Sequence, residues 1–275
     1  MMIYPRHDRG HAEVADHYDE LDSIYRRLWG EHVHHGLWRT GNETPREAVN
    51  ALSDLVGERL SFAPQDRLVD IGCGYGATAR RFADRGAIVT GFTLSRAQWG
   101  AAEPYPAVTL HCRDWLANGL PPMAFDGAYA IESSEHMLDK PLFFSEARRV
   151  LRPGARFVIC AWLADECPTH WQRKHLLEPI CDEGSLPSLG SAAEYRAMAE
   201  RAGFACLDYE DISQAVKRTW TICTKRLIGA IFSDAAMRRA VFKARHRRFA
   251  RSLPRLILAY RTGAMRYGIF TLVAR

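Results

Sequence analysis

Apolar positions along the chain follow two alternating periods. Between Glu13 and Trp29, Val14, Tyr18, Leu21, Tyr25 and Leu28 fall three or four residues apart, which places them on one face of a helix. A second helix is expected from Pro45 to Leu60, with Thr44 as its N-cap. Between the two lies GEHVHHGLWRTGN, a polar and aromatic loop. From Gln65 onward short apolar runs alternate with helical stretches. Strands are expected near 67–71, 87–92, 107–111, 125–131 and 155–161, and helices near 77–85, 95–102 and 142–150. Residues 165–190 break this rhythm with Pro168, Pro179, Gly184, Pro187 and Gly190, the mark of an inserted loop or short helices. The rhythm then resumes. Ser191–Ala202 reads as a helix stopped by Gly203, Phe204–Tyr209 as a strand, residues 214–252 as two basic helices and Tyr267–Ala274 as a closing strand. Strand–helix alternation of this kind predicts an α/β fold, a doubly wound and mainly parallel sheet of seven strands with helices on both faces. The expected division is N-terminal helices and lid loop over 1–62, a sheet core over 63–164, an inserted cap segment over 165–190, and completion of the sheet with a basic helical cap over 191–275.

Composition changes this picture in three places. With 275 residues, 47% of them hydrophobic, the chain can bury a large core. No apolar run approaches the roughly 18 to 20 residues that span a bilayer, and the N-terminus has no apolar signal core, so a cytoplasmic protein is expected. Seven cysteines with no C-x-x-C pair argue against a disulfide framework and against zinc. The net charge of +5 is segregated. From Ala215 to Arg275, 15 Lys or Arg stand against Asp234 alone, giving +14, while the first 214 residues carry 22 basic and 31 acidic side chains, or −9.

The candidate chemistry begins at Asp70-Ile71-Gly72-Cys73-Gly74-Tyr75-Gly76. Three glycines in five residues, between a strand and a helix, let the chain turn sharply and let a ligand approach the main chain. GCGYGA also fits the dinucleotide pattern G-x-G-x-x-G/A, but that reading wants an acid about 20 residues on to hold a ribose, and the second strand ends Gly91-Phe92-Thr93-Leu94-Ser95 without one.

The DIGCGYG turn resembles the first motif of class I S-adenosylmethionine-dependent methyltransferases. RDW at 113–115, FDGAYAIESSEHM at 125–137 and EARRVLRPGARFVI at 146–159 follow in the order of that family. WGEHVHHGLW, GFTLSRAQ and ESSEHMLDK resemble the γ-tocopherol methyltransferase group and its relatives acting on amines, sugars and, more remotely, cyclopropane fatty acid synthases. The resemblance weakens after Glu210. It implies a Rossmann-like core with S-adenosyl-L-methionine as cofactor, released as S-adenosyl-L-homocysteine. Gly72 and Gly74 would pass under its methionine part and Asp70 would fix the loop. Thr93, Leu94 and Gln98 would lie near the ribose and adenosine, where an amide replaces the usual acid. Asp114 would meet the adenine amine, beside the face of Trp115, which could equally be a core aromatic. His34 and His35 would touch the cofactor's carboxylate or close over the substrate, and Glu132 completes the cofactor set. A metal on His32, His34 and His35 is not expected, since no partner acids stand at fixed spacing.

The resemblance makes His136 the candidate base, with Glu135 beside it. A histidine titrating near pH 6.5 can take a proton from a nucleophile as it attacks the sulfonium. The same two side chains also fit a structural pair beneath the cofactor. The implied activity is in-line methyl transfer to a small molecule: a phenolic or prenylated ring, an amine or a hydroxyl. Cyclopropane-type lipid alkylation and cofactor binding without catalysis are the alternatives. Trp162, Trp171, Leu186, Leu189, Trp220, Ile222 and Phe232 are candidates for either the acceptor pocket or the core. The basic segment suits a lipophilic or acidic acceptor or peripheral membrane contact, or a solvated face balanced by the acidic remainder; no specific nucleic acid partner is expected.

Overall fold

A computed structural model of the chain describes residues 2–7, 10–235, 239 and 248–275. Its strands are β1 (Arg67–Ile71), β2 (Ile88–Thr93), β3 (Val108–Cys112), β4 (Phe125–Ile131), β5 (Leu151–Ala164), β6 (Phe204–Asp211) and β7 (Met265–Ala274). They form one sheet in the order β3-β2-β1-β4-β5-β7-β6, parallel except for β7, which runs antiparallel between β5 and β6. The expected sheet is therefore present, with one adjustment. The strand expected over 155–161 runs from Leu151 to Ala164, because Leu151 pairs with Phe125 and residues 162–164 pair with Tyr267, Arg266 and Met265. Those partners are remote in sequence, so local alternation does not reveal them.

Alternate strand residues feed two cores. Leu68, Tyr129, Val158 and Cys160 face α2 (Pro45–Leu60) and α3 (Ala77–Ala83), where Leu52, Val56 and Phe82 are fully buried. Val69, Ala128, Phe157 and Ile159 face α5 (Lys140–Val150) and α8 (Ala192–Arg201), against Phe143, Phe144 and Tyr195. Each such side chain contributes about 1.5–3 kcal/mol by leaving water, which holds helices on both faces. The α2 start is built as expected: the Thr44 hydroxyl accepts from Glu47 N and the Glu47 carboxylate accepts from Thr44 N, a reciprocal cap ahead of Pro45.

Helix α1 (His11–Leu28) packs on α4 (Arg96–Ala101) and α10 (Arg218–Ser233). The side chains of Leu21, Tyr25 and Leu28 lie outside the described residues. Segment 165–190 folds into short helical pieces, α6 (His170–Gln172), a π-helical turn at Arg173–Leu177 and α7 (Glu178–Glu183). Of the two basic helices expected over 214–252, α9 (Ser213–Val216) and α10 cover the first part. The final helix, α11 (Arg248–Thr262), extends ten residues further than expected; residues 236–238 and 240–247 lie outside the described residues. Among the described residues no helix is long and apolar enough to cross a membrane.

Candidate active site

The carboxyl ends of β1, β2 and β4 open into a cavity of about 920 Å³ beneath α1. Asp70, Gly72, Gly74, Thr93, Leu94, Gln98, Asp114, Trp115, Glu132 and His34 all line it, so ten residues singled out from sequence meet in one place. The glycines divide the work. A Cβ on Gly74, at φ +54°, would meet nothing within 4 Å and would point into the open cavity, so the bare backbone there leaves room for a ligand. A Cβ on Gly72, at φ +88°, would sit 2.2 Å from Ser133 Cβ, so this glycine is required by contact between the β1 turn and the end of β4. Burial pushes the Asp70 carboxyl up to about 7. Gln98 is buried, its side-chain oxygen accepting from the Thr93 hydroxyl at 3.0 Å. Asp114 caps the turn carrying Trp115, accepting from Leu116 N at 2.9 Å. Trp115 both lines the cavity and packs on Phe92, so cavity wall and core aromatic are one residue.

A second cavity, about 470 Å³, adjoins the first and shares Tyr18, Val33, Glu132 and His136 with it as lining residues. Its own walls are aromatic and apolar: Trp29, Trp162, Leu186 and Trp220. Of the candidate pocket residues, then, Trp162, Leu186 and Trp220 line it, whereas Leu189 is core and Trp171 and Phe232 are exposed. His35, expected with His34 against the cofactor, lines this second cavity and not the first. Successive residues of an extended loop point to opposite sides, which separates the two. The His34 Nδ1–H donates to His35 O at 2.8 Å, and its Nε2 accepts from His32 Nδ1 at 3.1 Å. Burial lowers the pKa of both His32, to about 3, and His34.

Glu132 holds the junction. Its carboxylate accepts from His35 N (2.6 Å), His35 Nδ1 (2.9 Å), Trp162 Nε1 (2.9 Å) and Tyr267 OH (2.8 Å). Burial would raise its pKa, but electrostatic attraction to the His35 and His34 rings and the hydrogen bonds from His35 outweigh that and bring it down to about 2. Its φ of +53° is a left-handed conformation that costs a non-glycine residue about 1–2 kcal/mol, which four donors on one carboxylate offset.

His136 lines both cavities, with Nε2 2.9 Å from the Tyr18 hydroxyl of α1. Burial and then the charge of Lys140 lower its pKa to about 4. Glu135, expected beside it as a second catalytic group, lines neither cavity. It turns into the protein, accepting from Ser134 Oγ at 3.1 Å and Trp162 N at 3.2 Å, and burial with the nearby Glu132 charge raises its pKa to about 8. Lys140 underlies this turn, donating to the carbonyls of Glu135 and Met137 and to Ser188 Oγ. Tyr18 was not foreseen as a site residue, and its neighbour Asp19, which lines neither cavity, ties α1 to the start of α4. Asp19 accepts from Ser95 Oγ (2.5 Å) and Ala97 N (3.1 Å), so an acid does stand at the end of β2, supplied by α1. Helical spacing marks α1 as amphipathic but cannot show which of its residues reach a cavity.

The fold and the glycine cradle define a class I S-adenosylmethionine-dependent methyltransferase, an enzyme acting on a small molecule. The chain belongs to the mycolic acid cyclopropane synthetase family, whose model matches residues 6–253. It is similar to the 27-O-demethylrifamycin SV methyltransferase of Amycolatopsis mediterranei strain S699, 33% identical over 226 residues, covering 79% of this chain and 82% of that one. It is also similar to the probable chloroplastic tocopherol O-methyltransferase of Oryza sativa subsp. japonica, 31% identical over 280 residues, covering 94% and 76%. Among solved structures, mycolic acid cyclopropane synthase CmaA1 complexed with SAH and CTAB shares the fold at a TM-score of 0.83 and 21% identity, over 97% of this chain and 99% of that one.

Proposed function

We propose that this enzyme methylates a hydroxyl group on an apolar, ring-bearing small molecule seated in the aromatic cavity. The observation that carries the reading is that the aromatic cavity adjoins the first one, with Tyr18, Val33, Glu132 and His136 lining both, which would bring two ligands close to each other at those four residues. The similar relatives are named for methylation of a demethylrifamycin and of tocopherol, the latter at oxygen. Gly72, Gly74 and Asp70 would hold the methionine part of the cofactor, Thr93, Leu94 and Gln98 the ribose, and Asp114 and Trp115 the adenine, with His34 and Glu132 closing the near end. When bound, the sulfonium supplies an electrophilic methyl that passes in line to the acceptor, leaving S-adenosylhomocysteine. The chain's own part is to position the acceptor and exclude water: α1 covers the cavity through Asp19, and Tyr18 with His136 bridges the junction. Cyclopropane chemistry would want a carboxylate or bicarbonate near Glu135 beside the substrate, and Glu135 faces away.

The cellular setting we propose is cytoplasmic with peripheral membrane contact, on the strength of Ile228 and Phe232 exposed on α10 near Lys225 and Arg226. Each basic residue near an anionic surface is worth about 1 kcal/mol. Flotation with anionic vesicles at low salt should carry the protein, and failure to float sinks that contact. For the activity, methyl-labelled cofactor is offered with phenols, prenylated phenols, alcohols, amines and unsaturated phospholipid vesicles. A methyl ether identified by mass and NMR supports the reading; a methylene bridge across a lipid double bond, or labelled amines alone, overturns it.

A further inference from the structure

We infer that His35 and Glu132 form a carboxylate–imidazole dyad whose free ring nitrogen, His35 Nε2, takes the proton from the acceptor hydroxyl. The inference rests on the hydroxyl-acceptor reading above. His35 is 1% exposed, and its Nδ1 lies 2.9 Å from the Glu132 carboxylate while its main-chain N donates to the other carboxylate oxygen at 2.6 Å. The carboxylate fixes the proton on Nδ1, so Nε2 carries the lone pair. That Nε2 is buried and has no hydrogen-bond partner among the described residues. A buried polar atom without a partner destabilises the chain, a cost recovered when a ligand hydroxyl reaches it. The ring borders the aromatic cavity, with Trp220 at 4.9 Å, Tyr267 at 5.0 Å, Trp162 at 5.6 Å and Tyr260 at 5.9 Å between ring centroids. These rings hold it in place and leave Nε2 as its one unpaired polar atom.

The chemistry balances without any further reactant. The acceptor O–H proton moves to Nε2, the electron pair left on oxygen forms the new O–CH3 bond, and the methyl–sulfur pair stays on sulfur. The imidazolium so formed faces an ionised Glu132, which stabilises it as the carboxylate does in a Ser-His-Asp triad. His136 is less well equipped for the step. Its Nδ1 is, like His35 Nε2, buried without a hydrogen-bond partner among the described residues, but its Nε2 already meets the Tyr18 hydroxyl, no carboxylate among those residues holds the ring, and burial beside Lys140 disfavours its charged form.

The test uses the full chain and three variants. His35→Asn keeps a donor near Glu132 and deletes Nε2; Glu132→Gln keeps the packing and deletes the charge; His136→Asn is the comparison. Thermal melts and calorimetric titration with S-adenosylhomocysteine establish that each folds and holds product. A general base is typically worth 10²- to 10⁴-fold, so His35→Asn should lower the transfer rate to simple phenols by at least 100-fold and Glu132→Gln by at least tenfold. The loss should shrink across a ring-substituted series as the phenol becomes more acidic, while the loss in His136→Asn stays constant across it. A second readout needs no transfer: 4-nitrophenol added to the S-adenosylhomocysteine complex should show more of its phenolate absorption band than in free solution, and His35→Asn should abolish the excess. An acidity-independent loss in His35→Asn, or undiminished ionisation in that variant, overturns the dyad. Methylation of amines or lipids with no phenol bound or methylated overturns the hydroxyl reading, and the dyad's role with it.

Discussion

Two glycines two residues apart make opposite demands on a substituent, and alanine at each separates cradle from scaffold. Gly72→Ala would place a Cβ 2.2 Å from Ser133 Cβ and 2.7 Å from its hydroxyl, at φ +88°. Ser133 cannot swing aside, because the clash is with its Cβ and its hydroxyl is bonded to the Ile71 carbonyl. The left-handed backbone costs about 1–2 kcal/mol and overpacking about 1–3 more, together about 2–5 kcal/mol. With an unfolding entropy of about 2.1 cal/mol/K per residue, a chain of this length should lose about 3–9 °C of Tm. Gly74→Ala, at φ +54° with nothing within 4 Å of its Cβ, meets the backbone cost alone, about 2–3 °C. Its methyl, however, enters the space kept for cofactor, and S-adenosylhomocysteine should bind at least tenfold more weakly, about 1.4 kcal/mol. Gly74→Asp should bind still less, since its carboxylate joins Asp70 and Asp114 on the cavity wall. Differential scanning fluorimetry and calorimetric titration read both quantities. Wild-type affinity in Gly74→Ala would refute the cradle, and a Gly72→Ala protein as stable as Gly74→Ala would refute the contact with β4.

Three further outcomes are expected. Glu135, raised to about 8 from 4.5, stabilises the folded chain fully below pH 4.5 and loses that contribution as pH climbs toward 8. The difference in urea-unfolding stability between wild type and Glu135→Gln should therefore fall in wild type's disfavour between pH 5 and 7.5, whatever the opposing slope from the buried histidines; a pH-independent difference rejects a neutral Glu135. Asp19→Ala removes the acceptor for Ser95 Oγ and Ala97 N, and should speed S-adenosylhomocysteine dissociation several-fold in stopped-flow with little change in Tm; an unchanged off-rate means α1 is no cover. Leu186→Ala opens the wall of the aromatic cavity, and should shift kcat/KM toward bulkier phenols at about 2–5 kcal/mol of stability. An unaltered preference would mean the acceptor sits elsewhere.

The sheet was readable from sequence because its inner strands are buried on both faces and its turns are punctuated by glycine and proline, so most elements announce themselves locally. What stayed hidden depends on partners far along the chain. The ends of β5 are set by Phe125 and by residues 265–267, and the last helix extends past the expected boundary despite Pro254 within it. Asp19 illustrates the same limit in the site. An acid at the end of β2 was sought within the Rossmann-like unit, about 20 residues past the first glycine, and the structure supplies one from a helix that precedes the sheet altogether.

Residue identity foretold the site's membership better than its arrangement. The glycine turn, TLS with Gln98, RDW and Glu132 converge on one cavity because strand ends in a doubly wound sheet converge by topology, and topology follows from the order of elements. Neighbouring residues at a strand end or in a loop, by contrast, differ in facing by the conformation of a single peptide. His34 and His35 divide between two cavities in this way, and Glu135 turns inward where His136 turns to the junction. The pattern E-S-S-E-H can therefore say that two acids and a base cluster at the fourth strand, but not which acid serves which histidine. The left-handed φ of Glu132 decides that, by directing its carboxylate to His35, Trp162 and Tyr267 across three other elements. A strained residue with four donors on its side chain is costly to keep as mere scaffold, and the orphaned Nε2 it leaves on His35 is where the chemistry of the acceptor should be sought.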